Sequence, residues 1–418
     1  MNPTYYGLED NSKESLDFYL STLIETILLD LQRSGCVEIE GGFFLEPTTF
    51  GRIASYYYLQ HATLGLFGDR ITQNYRAAGD AGKGEREDGD FHKILRCLCD
   101  ASEFSELPVR HNEDIMNRDL EQQLPVKVME VFDVEGFGGS SRSYTFESPH
   151  NKAFLLLQAH LQRLKPLPCS DYVTDTNSVM DQSVRILQAM IDVAADSGFL
   201  GTTIGITTVL QCIKQGLWLT DSTLLSVPYI TQENFRSLRW NGAIIDCLPK
   251  LMERSGSELR ALLSVARFSS SQISRMIDVV QNFPAYDCKW TFFGADKAPA
   301  KDFTLQCGVE YELRLEFERM RPFSGISSQG FKAFCPYFPK QQYESWFILL
   351  GIEKNDDLIA LKRISMAGQS GSRSNNRSVS RVNFVAPEIP GSHHVTLFLI
   401  SDAYVGLDRQ WTVRYNVE

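Results

Sequence analysis

Nine cysteines are scattered through this 418-residue chain, yet none falls in a CxxC pair, the spacing of a thiol redox or zinc site. Cys97 and Cys99 are separated by one residue, poor metal geometry on a helix. Such usage predicts reduced, small hydrophobes in a nuclear or cytosolic protein. No apolar run approaches the ~18 residues that span a bilayer, and Met1-Asn2-Pro3-Thr4-Tyr5-Tyr6 lacks the regions of a secretory signal, so no membrane partner is expected. There is no GxSxG, no HExxH and no acidic motor box. Gly79-Asp80-Ala81-Gly82-Lys83-Gly84 has the wrong spacing for a phosphate loop, and no Ser or Thr follows its lysine, so it reads as a solvated loop. The seven histidines are dispersed, and His393-His394 precedes a strand, which disfavours a metal pair. No catalytic residue, metal or cofactor is therefore predicted.

A basic face is lacking as well. The net charge is −11; from Tyr286 onward there are 16 basic and 15 acidic residues, so the excess of acid lies in the first 285. A free-standing nucleic-acid binder neutralises phosphates with such a face. Any nucleic-acid contact here must come from a few local residues, helped by a partner domain that brings charge.

What is present is a change of period. Asn11 to about Ser34 reads as an amphipathic helix through Leu16, Leu20, Leu23, Ile24, Ile27, Leu28 and Leu31, with Asn11 and Glu14 at capping-box spacing. A short hairpin follows, Cys36–Glu40 and Phe43–Leu45 around Gly41-Gly42. Helix then hairpin is the trailing half of a winged helix, so residues 1–46 are expected to begin mid-domain with an apolar face to be covered. Helical patterns follow at Thr49–His61, Phe91–Ala101, Asn151–Leu164, Asn177–Asp196 and Thr202–Leu217, with shorter helices from Thr231 to Phe283. Ala77–Asp90, Asp133–Pro149 and Met366–Arg381 read as loops. From Tyr286 the period becomes two: Tyr311, Leu313, Leu315 and Phe317 face one way and charged residues the other. Trp346–Ile352 is a buried strand, and Leu358–Ile364, Val382–Val385 and Val395–Ile400 are further candidates. About seven short strands suggest an immunoglobulin-like β-sandwich. The expected fold class is α+β and multidomain.

Two features carry the chemistry that is there. Arg110-His111-Asn112-Glu113-Asp114 is the densest polar cluster and reads as a hydrogen-bonded loop pinning two helices, with an acid/base site as the alternative. Between Asn177 and Ser197, Met180, Val184, Leu187, Ile191 and Ala194 make an apolar stripe. Ser178, Asp181, Arg185, Gln188, Asp192 and Asp196 make a polar one opposite. The polar stripe is either a solvated face or a strand-contacting one, on which Arg185 reaches a phosphate or base and Gln188 donates hydrogen bonds.

Gly51-Arg52-Ile53-Ala54-Ser55-Tyr56-Tyr57-Tyr58-Leu59, Leu107-Pro108-Val109-Arg110-His111-Asn112-Glu113-Asp114, Leu155-Leu156-Leu157-Gln158-Ala159-His160 and Ser401-Asp402-Ala403-Tyr404 resemble, in order, the Sec-63 homology module. That module follows each motor cassette of the large Ski-type superfamily-two helicases. The resemblance implies a helical bundle (47–222), a helix-loop-helix domain (223–285) and an immunoglobulin-like domain (286–418). It places Arg185 and Gln188 on the bundle helix that lies under the single strand. Asp192 stands where a stacking aromatic would help, a departure that weakens the stacking part. With no phosphate-cradling or metal-binding motif, the chain is expected to be non-catalytic beside an ATP-dependent 3′–5′ motor. The partners implied are the upstream helicase motor domains in cis or in trans, other subunits of a cointegrator complex, and single-stranded nucleic acid. The setting implied is transcription coactivation, DNA alkylation repair or ribosome quality control. The alternatives are a pure protein-interaction scaffold and a translocation-channel component of the endoplasmic reticulum.

Overall fold

A computed structural model describes residues 12–41, 44–74, 86–128, 145–240, 242–294, 299–300, 303–321, 326–327, 330–365 and 377–418. The chain opens with α1 (Lys13–Arg33), followed by the antiparallel hairpin β1 (Val37–Glu40) and β2 (Phe44–Pro47). The helix is capped by Ser12, whose hydroxyl accepts from the Ser15 amide, rather than by Asn11, which lies outside the described residues. None of its residues is fully buried, and Leu20, Leu23, Ile24 and Ile27 are exposed along its apolar face.

The helical body comprises α2 (Thr49–Tyr57), α3 (His61–Asn74), α4 (Arg86–Cys99), α5 (Glu113–Gln122), α6 (Pro149–Leu161), α7 (Ser170–Asp196) and α8 (Leu200–Gln215). Where the sequence predicts one helix over Thr49–His61, the chain breaks at Tyr58, which adopts a left-handed conformation (φ 53°, ψ 47°), and restarts as α3. The second helix is missed because its glycines look like breakers. Gly68 is instead a point of close approach, where an added Cβ would meet the Phe50 ring at 2.7 Å. Arg86–Asp90 belongs to α4 rather than to the expected loop, and α7 begins seven residues before Asn177 because Tyr172, Asp175 and Thr176 continue its buried face. Residues 75–85 and 129–144, which hold the rest of two expected loops and the Gly79–Gly84 segment, lie outside the described residues.

A smaller helical cluster follows. The short ladder β3 (Arg239–Trp240) and β4 (Ala243–Ile244) leads to α9 (Leu248–Met252), α10 (Gly256–Val265) and α11 (Ser270–Asn282). Both α10 and α11 start with complete capping boxes, Ser255 with Glu258 and Ser269 with Gln272. Their apolar faces share a core with Leu217, Leu224 and Tyr404.

From Tyr286 the chain is β, as the alternation predicts. Its strands are β5 (Tyr286–Phe293), β6 (Thr304–Leu305), β7 (Glu310–Arg319), β8 (Ile326–Ser327), β9 (Gly330–Ala333), β10 (Gln342–Tyr343), β11 (Trp346–Ile352), β12 (Asp357–Ile364), β13 (Arg377–Val385), β14 (Gly391–Ser401) and β15 (Arg409–Val417). Arg377–Arg381 is thus strand rather than loop, and residues 366–376 lie outside the described set. One sheet runs β12-β11-β14-β15-β6 and another β13-β7-β5, with a small sheet β10-β9-β8 beside them. Tyr311, Leu313, Leu315 and Phe317 of β7 point into the core between the two larger sheets.

The parity of β11 and β14 explains why both strands are apolar on both faces. Trp346, Ile348, Leu350, Leu397 and Leu399 enter the core between the sheets. Phe347, Leu349, Phe398 and Ile400 enter the core of the helical body. The five-stranded sheet is therefore sandwiched between a second sheet and a layer of helices, and the fold is α+β.

Candidate nucleic-acid interface

α7 is the spine of the helical body, packed against α2, α3, α6 and α8. Met180, Leu187, Ile191 and Ala194 of the expected apolar stripe are buried, Val184 is partly so, and Ile186, Ala189, Met190 and Val193 are buried too. Burying one such aliphatic side chain contributes about 1.5–3 kcal/mol. The buried arc is wider than one stripe because neighbours cover the helix on several sides. On the polar stripe Ser178, Asp181 and Asp196 are exposed, whereas Arg185, Gln188 and Asp192 are half-buried.

The half-buried part is braced from two directions. Arg185 Nη1 donates to the carbonyls of Tyr57 (3.3 Å) and Tyr58 (3.1 Å), at the end of α2 where unpaired carbonyls collect. Tyr57 Oη donates to Asp192 Oδ2 at 2.7 Å. Burial, then that hydrogen bond, pushes the Tyr57 phenol above its usual range, so it stays a donor. From the β region, Arg363 on β12 reaches Asp192 Oδ1 at 2.8 Å and donates to the Gln188 carbonyl at 2.9 Å. Lys340 reaches Asp181 at 2.6 Å. The structure thus brings Arg185, Gln188 and Asp192 together along one face of α7, with Tyr57 and Arg363 as bracing partners. Among the described residues only Nη1 of the Arg185 guanidinium is engaged.

The polar cluster after Leu107 is a structural knot. Asn112 takes a left-handed conformation before α5, and Glu113 accepts from the Arg110 amide (2.8 Å) and from Arg110 Nη1 (2.9 Å). Lys152, fully buried on α6, donates to Glu113 (2.6 Å), Asp175 (2.7 Å) and the Pro108 carbonyl (2.7 Å). Arg110 also reaches Asp175 at 2.7 Å. Burial pushes Glu113 and Asp175 up, but Lys152 and Arg110 outweigh it and hold both carboxyls below their usual range. Arg110, Glu113, Lys152 and Asp175 are all paired with one another, so the cluster pins α5, α6 and α7 together, and the loop pins three helices rather than two.

Ser401-Asp402-Ala403-Tyr404 is a second joint, between α8 and the end of β14. Lys214 meets Asp402 at 2.8 Å, and Gln215 donates to the Ala403 carbonyl at 2.7 Å. Gln211 donates to the Ser401 carbonyl (2.7 Å) and to Asp408 (3.0 Å). The Ser401 hydroxyl caps the turn by accepting from the Ala403 and Tyr404 amides, and Tyr404 Oη accepts from the Phe334 amide. Arg363, Lys340, Lys152 and Lys214 are partners that sequence reading did not reach. Their acidic counterparts lie from 23 to 188 residues away, and a lone basic residue carries no sign of its pair. Tyr57 was signalled by its motif, but not its role.

Among the described residues no three His, Cys, Asp or Glu side chains converge as a metal ion requires. No helix there is long and apolar enough to cross a membrane.

The Sec63 Brl domain family matches residues 47–414. The whole chain aligns with activating signal cointegrator 1 complex subunit 3 from Bos taurus at 35% identity, covering 19% of that protein. It aligns with the DExH-box ATP-dependent RNA helicase DExH14 of Arabidopsis thaliana at 34%, over 99% of the chain and 16% of the relative. It also aligns with the human U5 small nuclear ribonucleoprotein 200 kDa helicase at 27%, over 100% of the chain and 17% of the relative. The chain therefore spans less than a fifth of the length of each of these relatives. With the family's pattern covering both the helical body and the β region, the chain belongs to the Sec63 Brl domain family.

Proposed function

We propose that this chain is a non-catalytic module of a nucleic-acid helicase, guiding single-stranded nucleic acid along α7 and docking partner proteins. The observation that carries the reading is Arg185, a cation at the seam of α2 and α7 with guanidinium donors to spare, on the helix that organises a helicase-family domain. Arg185 contacts a phosphate or base and Gln188 adds hydrogen bonds, while the mixed charge of the stripe keeps contacts brief enough to release as a strand moves. Motor domains, in cis or in trans, supply ATP hydrolysis and most of the phosphate neutralisation. The uncovered face of α1, with exposed Phe44 and Leu45 of the hairpin, is the surface offered to them, as in a winged helix. The two large sheets act as an immunoglobulin-like unit that packs on neighbours. The partners are subunits of a cointegrator complex such as the relatives' names describe, in the nucleus and cytosol, in transcription coactivation, alkylation repair or ribosome quality control.

The test is binding of a labelled single strand over a salt series, wild type against Arg185→Ala. About tenfold weaker binding by the variant at low salt supports the reading. Absence of wild-type binding at low salt favours the second reading, a pure interaction scaffold. One observation favours that alternative: Asp181, Arg185 and Asp192 each have an internal partner, so the stripe already has work in holding the fold together.

A further inference from the structure

We propose that Tyr56 and Tyr58, at the C-terminal end of α2, form a platform on which bases of a single strand stack beside Arg185. This rests on the strand-contact reading above and supplies the aromatic element that α7, with Asp192, lacks. In the sequence Tyr56-Tyr57-Tyr58 looks uniform, but the structure divides it: Tyr57 is buried and braces Asp192, while Tyr56 is 76% exposed and Tyr58 is 85% exposed. Tyr58 also occupies the left-handed region, where its β-carbon is disfavoured and glycine or asparagine is the usual helix-ending residue. No hydrogen bond or ring contact holds its side chain among the described residues. The fold thus tolerates backbone strain to keep a tyrosine in water at a point where glycine would serve it better.

The surroundings suit a base more than an apolar segment. Arg185 grips the Tyr57 and Tyr58 carbonyls through Nη1 alone, which fixes the backbone beneath the rings and leaves its other nitrogens for a phosphate. Arg52, exposed one helical turn before Tyr56, adds a second cation on the same face. Ser55 and Gln60, on either side of the pair in sequence, are also exposed. Of the acids nearby, Asp192 is paired with Arg363 and Asp181 with Lys340, while Glu103 accepts from the Gln60 amide and the Thr63 hydroxyl and keeps its charge. Base stacking is tolerant of sequence and needs few charges, which fits a chain with a net negative balance. The rival occupant is a protein segment in the apolar groove that Tyr58 itself lines with Leu31, Val37, Pro47, Ala54 and Leu59.

The experiment uses the whole chain, a labelled oligo-U of about 12 nucleotides and an abasic strand of equal length, read by anisotropy at low salt. Tyr56→Ala and Tyr58→Ala should each weaken oligo-U binding by about five- to tenfold, and Tyr58→Phe should leave it unchanged. Binding of the abasic strand should be weaker and indifferent to either tyrosine. Tyr58→Gly separates contact from folding: it should raise the melting temperature by relieving the strained cap while weakening oligo-U binding. If Arg185→Ala weakens binding but the tyrosine variants do not, the platform is overturned and the strand reading survives, with the rings left to a protein partner. If the wild type binds neither strand, both fall.

Discussion

At the scale of single residues, the decisive side chain in the helical body is Lys152. An ammonium with no solvent exposure is tolerated because two carboxylates and a carbonyl surround it. Removing one member of such a set leaves the others buried and unpaired, which typically costs about 3–5 kcal/mol. Lys152→Met should fall at the lower end, because Arg110 still holds Glu113 and Asp175, and urea unfolding followed by circular dichroism measures it. The pH dependence follows from the same group. Glu113 and Asp175 titrate below their unfolded values, so their contribution is complete above about pH 4.5. It is lost as pH falls through the lower folded values. Acid unfolding of the wild type should therefore be steeper below about pH 4.5 than that of Lys152→Met.

At the scale of elements, α2 shows how much of the structure could be read in the sequence and where reading stopped. The β7 alternation and the α7 stripe were legible because burial on one face forces a period. The break at Tyr58 was not, since neither glycine nor proline marks it and the Arg185 grip that supports it arrives from 127 residues away. The surroundings of the polar stripe were half legible: its residue types were visible, while the bracing by Tyr57 and Arg363 exists only in three dimensions. α5 was hidden for another reason, because its opening residues are the charged ones of the Lys152 knot and mimic a loop. α2 is also held at its start. Gly51 lies so close to the Cys36 carbonyl oxygen that an added Cβ would approach it to 2.1 Å. Backbone cannot yield there as a flexible side chain could, so Gly51→Ala should separate the hairpin from α2. The expected outcome is a loss of more than about 2 kcal/mol, with faster amide exchange in β1 and β2 than in α8, measured by mass spectrometry.

At the scale of the whole molecule, the helical body and the five-stranded sheet share a core, and α8 is riveted to the end of β14. Asp408 belongs to that rivet. Burial raises its carboxyl to about 7, outweighing the Ser401 amide and the Gln211 amide group that favour the charged form. The folded chain therefore keeps a proton that the unfolded chain releases near pH 4. Stability from this site is full below that value and declines as pH rises toward about 7, opposite in sign to the Lys152 knot. Chemical denaturation at pH 5.5 and pH 8 should show a lower midpoint at pH 8, and Asp408→Asn should reduce the difference. His160, which burial holds down to about 4, opposes Asp408 in acid, because its contribution is lost as pH falls below about 6.5.

Asp192 has a consequence that reaches beyond its own helix. Its two oxygens serve a hydroxyl from the start of the bundle and a guanidinium from a strand 171 residues later. Such a shared acceptor makes distant segments rivals and allies at once: drawing the arginine away leaves the phenol as sole claimant, and shifting the phenol frees the acid to grip the arginine alone. A pull on the far sheet should therefore reach the tyrosine-rich corner through this one acidic side chain.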